Sequence, residues 1–417
     1  MPTHVCLVSR NVPSANPRLV KDAQALAAAG YKVTVVCGLY KVWSQGFKPP
    51  EALNGCEMKT VPFGPGAPID VRIKQVTRRT LSRRLFATSP KSERLAFWAC
   101  GDCSLGLYKS AAAVEADLYI AHLTEALPAV ARAAKRRSVP YAFDAEDFHL
   151  GGTPDVPEHN IEKQLIRTIE EHHLAGASYV TAASPLIAEA YAETYRIPFP
   201  TVILNVFPKE RAPIAPTPRG VAHPGPSIYW FSQTIGPGRG LETAIDAIAK
   251  TRSRPHLYLR GTSTSDYLKH LKQRALVVGV ADRLRLLDPA PPDELERLGA
   301  IYDLGFSGEM GFSKNNMLAL GNKLFSYLLG GVPCIASDIP AHRWLAPQFG
   351  EAMTLFPRDD SSALAACIDQ FLLTPDRLAS ARTYAWNLGQ QRFNWAIEQQ
   401  KLLAVVSAVR SPKSHSD

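Results

Sequence analysis

Short apolar, often β-branched runs alternate with stretches of helical period along almost the whole chain, and this alternation limits the fold more than any other feature. A strand that is apolar throughout must be covered on both faces. Helices between successive strands supply that cover, so the pattern implies parallel sheets wrapped by helices. Val5 to Ser9 reads as a strand, Pro17 to Ala29 as a helix, and Lys32 to Cys37 as the next strand, with Gly30 where a helix-ending glycine belongs. Further strands read at Asp117 to Ala121, Pro140 to Asp144, Tyr179 to Ala182 and Thr201 to Leu204. Helices read between them at Ala126 to Arg137, Ile161 to Ala175 and Pro185 to Tyr195.

From Pro208 to Pro226 the rhythm stops in a proline- and glycine-rich segment, which reads as a domain boundary. It resumes with strands at Ser227 to Phe231, His256 to Arg260, Leu284 to Leu287, Leu304 to Phe306 and Pro333 to Ala336. At 417 residues the chain is long enough for two such series. The expected fold class is α/β, with two Rossmann-like doubly wound domains at residues 1–207 and 227–385 and a linker at 208–226. A C-terminal helix at 386–410 is expected to pack back toward the first domain, followed by a frayed tail at 411–417. Ligands bind such sheets beyond the carboxyl ends of the strands, so two facing domains place a site in the cleft between them.

Composition narrows the partners. The formal charge of +9 favours an anionic ligand or surface. No basic helix with interleaved stacking aromatics appears, so nucleic-acid binding is not expected. The seven cysteines are scattered, several within apolar runs, as expected of structural thiols in a reducing compartment. Cys100-Gly-Asp-Cys103 has no second pair or histidine pair to complete a metal site. The opening apolar run is too short for a signal sequence, and no segment approaches the ~20 apolar residues of a spanning helix. The expected location is cytoplasmic, with peripheral membrane attachment.

Three constellations carry chemistry. In YWFSQTIGPGRGLETAI a strand leads through Gly236, Gly238 and Gly240 into a helix, with Arg239 in the turn. Small residues at a helix N-terminus let a phosphate approach backbone N–H groups, and the guanidinium adds full charge. Leu241 stands where the dinucleotide fingerprint needs a third glycine, so this is no nicotinamide loop. The turn reads equally as a flexible connection with a solvated arginine. Asn322 and Lys323 open a helix before the strand at Pro333 to Ala336, a place for a diphosphate, or simply an N-cap beside a solvated lysine. Two strand ends, DLYIAH and FDAEDFH, bring His122, Asp144, Glu146, Asp147 and His149 toward one edge as acid–base or hydrogen-bonding candidates.

In order and spacing, these stretches resemble the GT-B glycosyltransferases of family 4. The likeness runs from NPRLVKDAQALAAAGYKVTVV, through DLYIAHLTEALPAVARAAKRRSVPYAFDAED and TVILNVF, to RLRLLDPAPPDELERLGAIYDLGFS and NKLFSYLLGGVPCIASDIP. The resemblance implies a retaining hexosyltransferase with acceptor bound by the first domain and nucleotide-diphosphate sugar by the second. It further implies no cofactor and no bound metal, so cationic side chains must meet the leaving diphosphate.

The expected donor-binding set is Gln233, Gly238, Arg239, Gly240, Gly261, Glu309, Asn322, Lys323 and Ser326, and the two strand ends supply the expected catalytic set, His122, Asp144, Glu146, Asp147 and His149. Arg239 matches the family's diphosphate-binding lysine, and Gln233 the arginine before it. Leu318 and Ser326 stand where the family has paired glutamates, the second of which holds the ribose, and Glu146 where a histidine is common. Either the Ser326 hydroxyl substitutes, Glu309 reaches in, or donor binding is altered. The implied acceptor is a glycan or a lipid-linked molecule, in surface polysaccharide or glycoconjugate synthesis. A nucleotide-sugar epimerase and a non-catalytic partner protein are the alternatives. Residues 72–94, rich in arginine and lysine among Ile73, Val76, Leu81 and Leu85, are expected to meet an anionic membrane.

Overall fold

The computed structural model describes residues 3–40, 53, 55–154, 156–217 and 225–409. They group into two compact units, residues 1–204 with 399–417, and residues 205–398. Among the described residues each unit is built on one parallel sheet.

In the first unit the strands are β1 (His4–Ser9), β2 (Lys32–Tyr40), β3 (Glu57–Phe63), β4 (Leu118–His122), β5 (Tyr141–Ala145), β6 (Val180–Ala182) and β7 (Thr201–Val202), ordered β3-β2-β1-β4-β5-β6-β7. β1 and β4 are buried along their whole length, which is why they read as unbroken apolar runs. β3 has no such signature: it is an edge strand with Glu57, Met58 and Thr60 exposed, and the sequence pattern passes over it. Between β3 and β4 the chain makes a helical excursion, Ile69–Thr88, Glu93–Ala99 and Ser104–Ala112, which the strand rhythm likewise does not announce.

The second unit holds β8 (Ser227–Thr234), β9 (His256–Thr262), β10 (Leu284–Leu287), β11 (Leu304–Ser307), β12 (Cys334–Ser337) and β13 (Met353–Phe356), ordered β10-β9-β8-β11-β12-β13. Its core packs Trp230, Leu259, Leu304, Phe306 and Ile335 against the helix Leu241–Lys250 through Ile245 and Ile248. In both sheets the order reverses direction at the first strand of the series, β1 and β8. These are the switch points where adjacent connections leave on opposite faces and open a ligand crevice.

Of the expected linker, Lys209–Arg211 forms a single turn, and 218–224 lie outside the described residues, as does the expected tail. The expected helix at 386–410 is two: Pro375–Gln391 ends before Arg392, and a second helix runs Trp395–Ala408, its residues from Gln399 on grouping with the first unit.

Candidate functional site

At the switch point of the first unit, register does the positioning. Ser9 pairs with His122, His122 with Asp144, and Asp144 with Thr181, so strand ends far apart in sequence stand side by side. The helix after β1 adds what sequence reading missed. Asn16 caps it by accepting from Leu19 N, Pro17 starts it, and Arg18 and Asp22 project one turn apart. Arg18 grips Asp144 bidentately, Nε to Oδ2 at 2.7 Å and Nη2 to Oδ1 at 2.8 Å, and donates through Nη1 to the Ile203 carbonyl. His122 Nδ1 lies 3.4 Å from Asp144 and 3.2 Å from Glu146, and Nε2 lies 3.7 Å from Asp22. The sequence signal was available in Arg18, Lys21 and Asp22, charges on the helix face that Leu19 and Leu26 turn to the core.

The cluster is sealed, with His122 and Asp144 about fully buried. Burial alone would strip the His122 proton, but hydrogen bonds to Asp144 and Glu146 hold it, raising its pKa to about 10. Burial would push Asp144 up, but the charge of Arg18 and its bonds with His122 hold it well below the usual carboxylate range. Asp22 is pushed up by burial and by the charge of Asp144. Asp22, His122 and Asp144 are close enough to ligate one cation, yet Arg18 occupies both Asp144 oxygens, so the donor set does not suit a metal. Of the expected acid–base group, His122 and Asp144 are thus enclosed. Glu146 is partly exposed and accepts from Asn16 Nδ2, Asp147 is exposed, and His149 joins a separate network with Tyr191.

In the second unit, Gly238 and Gly240 both adopt left-handed backbone, with Arg239 between them. Glycine is required at 240, because a Cβ there would stand 2.5 Å from the Gly308 carbonyl oxygen. A Cβ on Gly308 would in turn meet the Phe306 ring and the Arg239 carbonyl. The turn after β8 and the turn after β11 therefore lie back to back, and Arg239 comes beside Glu309. Arg239 Nη1 and Lys323 Nζ each approach Glu309 Oε1 at 3.6 Å, and Asn316 Nδ2 donates to Oε2 at 3.0 Å. Burial pushes Glu309 up, but Lys323 and then Arg239 overrule it and hold the carboxyl below its ordinary range. Burial lowers Lys323, opposed by Glu309. Lys323 Nζ also lies 5.5 Å over the Trp230 ring. Buried His342, another residue the sequence reading missed, donates from Nδ1 to the Ser337 carbonyl near the carboxyl end of β12.

The remaining expected donor residues divide. Gln233 is exposed, and its carbonyl accepts from Thr262. Gly261 answers a backbone need at the register shift between β8 and β9, since a Cβ would stand 2.2 Å from the Ser232 carbonyl oxygen. Asn322 is exposed in the first turn, and the N-cap is Gly321. The Ser326 hydroxyl, expected to face a ribose, is buried and donates to Glu296 Oε1 at 2.7 Å. Cys103 is buried and Cys100 partly so, and burial pushes both thiols up to about 12, as inert structural cysteines are.

Residues 15–205 match the family described as glycosyl transferase 4-like domain. HepE from Anabaena, solved with UDP-glucose, aligns with a TM-score of 0.69 at 18% identity, over 97% of this chain and 100% of its own. Sucrose-phosphate synthase from Thermosynechococcus elongatus aligns with a TM-score of 0.74 at 16% identity, over 97% and 98%. The lipopolysaccharide outer core galactosyltransferase WaaB aligns at 0.60 and 13% identity, over 97% and 99%. No curated protein matches the sequence. The fold is GT-B.

The buried cluster gives stability a pH signature. His122 keeps its proton when folded up to about 10, against an ordinary 6.5, so its contribution is fully present below 6.5 and is lost as pH rises toward 10. The raised Asp22 acts with the same sign over a lower window, and Asp144, held low, loses its contribution only in acid. The melting temperature should therefore fall steadily between pH 6.5 and 10. His122→Asn should lower it at pH 6.5 and flatten the slope; a parallel slope would contradict the assignment.

Proposed function

With residues 15–205 matching the glycosyl transferase 4-like domain inside a GT-B fold, we propose that the protein transfers a hexose from a nucleotide-diphosphate sugar to a hydroxyl of a glycan or lipid-linked acceptor. The configuration at the anomeric carbon is retained. The observation that carries the reading is the convergence of Arg239 and Lys323 on Glu309 at the second switch point. Two cations held by one carboxylate are oriented before any ligand arrives, and Arg239 remains 38% exposed. As the bond between sugar and diphosphate breaks, negative charge grows on the leaving phosphate. Arg239, Lys323 and the N-terminal amides of the helix Leu241–Lys250 meet that charge. A diphosphate oxygen takes the proton of the incoming hydroxyl, and no metal is required for this balance of charge. HepE was solved with UDP-glucose, which supports a uridine nucleotide as the first donor to test.

A membrane-borne acceptor is supported by the helix Ile69–Thr88. Gln75, Ser82 and Phe86 face inward, while Ile69, Ile73, Val76, Leu81 and Leu85 are exposed. Arg78 donates to the Asp102 carbonyl, Arg79 pairs with Asp102 and Arg83 with Glu162, whereas Arg72, Lys74, Arg84, Lys91 and Arg94 stay exposed. Exposed apolar residues among exposed cations, of which Lys74 pairs with Asp70 at 3.7 Å, fit an anionic lipid surface, each basic residue there contributing about 1 kcal/mol. Among the described residues no helix is long and apolar enough to cross a membrane.

Two experiments test these readings. Arg239→Ala should lose about 10²–10³ in kcat/KM while melting normally. Arg239→Lys should keep part of the activity, because charge survives and only the fork is lost. A loss below about threefold in Arg239→Ala, far short of that range, would return the glycine turn to a structural role. Flotation with phosphatidylserine-containing vesicles at low salt should carry the protein upward, and Ile73→Asp with Leu81→Asp should abolish it. Wild-type protein left in the soluble fraction would rule out the membrane surface.

A further inference from the structure

The loop that follows β11 is tied down at successive residues. The Glu309 carbonyl accepts from the buried Ser337 hydroxyl at 2.6 Å, the Met310 carbonyl accepts from Arg358 Nη1 at 3.0 Å, and Gly311 N donates to Asn316 Oδ1 at 2.6 Å. Gly311 is left-handed, with φ +75°, and a Cβ there would stand 2.2 Å from Met317 Sδ, so glycine lets the chain fold back over that side chain. Asn316 is itself placed by its backbone N–H, which donates to the Ser313 hydroxyl at 3.2 Å. Its side chain reaches both the loop backbone and the Glu309 carboxylate.

Hydrogen count fixes which way that amide faces. A backbone N–H can only donate, so the amide oxygen of Asn316 must face Gly311. The NH2 group is then turned to Glu309 Oε2, 3.0 Å away, where an ionised carboxylate can only accept. Although burial raises its pKa, Lys323 and then Arg239 keep Glu309 ionised. One carboxylate oxygen is thus engaged by a neutral donor, and the other, Oε1, is left to Arg239 and Lys323, each at 3.6 Å.

That division matters when an anion arrives. Arg239 is partly exposed and can turn from carboxylate to phosphate, whereas Lys323 is buried and needs a counter-charge beside it. A carboxylate held by cations alone could follow Arg239 and set its charge against the ligand. With Oε2 fastened, Glu309 stays beside Lys323 while Arg239 leaves.

We infer that Asn316 is a positioning residue for donor binding: it holds Glu309 by one oxygen, so that the other presets Arg239 and Lys323 and the carboxylate does not follow Arg239 to the diphosphate. The inference rests on the diphosphate reading above, because Asn316 acts through the same two cations.

Asn316→Asp isolates the contact. The substitution keeps an oxygen for the Gly311 N–H, so the loop stays tied, but it replaces the NH2 group with a second oxygen and sets two carboxylates face to face. Titration calorimetry uses whichever of UDP, GDP, ADP and dTDP the wild-type protein binds. Asn316→Asp should bind that nucleotide about tenfold more weakly, as expected for loss of a hydrogen bond to a charged group.

A loosened loop, or direct repulsion of the ligand by the added charge, would also weaken binding, and Glu309→Gln separates these causes from positioning. In that background the glutamine amide donates to the introduced carboxylate, so the contact returns with donor and acceptor exchanged and with the net charge of the wild-type pair. Asn316→Asp should then cost less than about threefold relative to Glu309→Gln alone, because the two positions act as one unit. Asn316→Ala adds no charge and supplies the same comparison should Asn316→Asp melt early: its loss should be larger with Glu309 in place than in Glu309→Gln. Equal affinity for wild type and Asn316→Asp, or an equal loss in both backgrounds, would overturn the inference and leave the diphosphate reading standing. A wild-type protein that bound none of the four nucleotides would sink that reading and the inference with it.

Discussion

Parallel pairing about a central strand is the constraint on which the rest depends. Every strand in either sheet ends at the same edge, so residues far apart in sequence become neighbours by register alone. Ser9, His122, Asp144 and Thr181 are such a row in the first unit. In the second, the turns after β8 and β11 meet backbone to backbone at Gly240 and Gly308. No side chain could stand at that contact, so the glycines there serve first to let two turns approach and only through that to bring Arg239 beside Glu309.

The two switch points handle charge differently. In the first unit Arg18, Asp144, His122 and Asp22 close on one another and are almost entirely removed from water. A buried pair of this kind fixes geometry more than it stabilises, because desolvation of both ions offsets much of their attraction, while removal of one partner leaves an uncompensated charge at a penalty of about 3–5 kcal/mol. In the second unit Glu309 and Lys323 are buried but Arg239 is partly open. The half-open arrangement leaves Arg239 free to exchange a carboxylate for a phosphate, and it is there that we propose the donor binds.

Much of this was legible in the sequence, for physical reasons that differ by element. The buried strands were plain because covering both faces forces unbroken apolar runs, and β3 was hidden because its exposed residues need not be apolar. His122 and Asp144 were legible as neighbours, since both end strands in one sheet, but their enclosure was not. It depends on Arg18, whose long side chain crosses from the next helix. Ser326 and Glu296 show the limit of alignment by motif. The serine stands where a glutamate is expected, yet its hydroxyl turns inward to a carboxylate from another element. The partner of His149, Tyr191, was invisible for the same reason, as tertiary packing alone brings the two together.

Titration calorimetry with nucleoside diphosphates tests the central claim, a diphosphate site built on Arg239 and Lys323, most directly. Wild-type protein should bind UDP or another nucleoside diphosphate saturably at one site. Lys323→Met should weaken that binding by about tenfold or more, roughly 1.4 kcal/mol, without unfolding the protein. Absence of binding by uridine, guanosine, adenosine and thymidine diphosphates alike, or equal affinity in Lys323→Met, would contradict it.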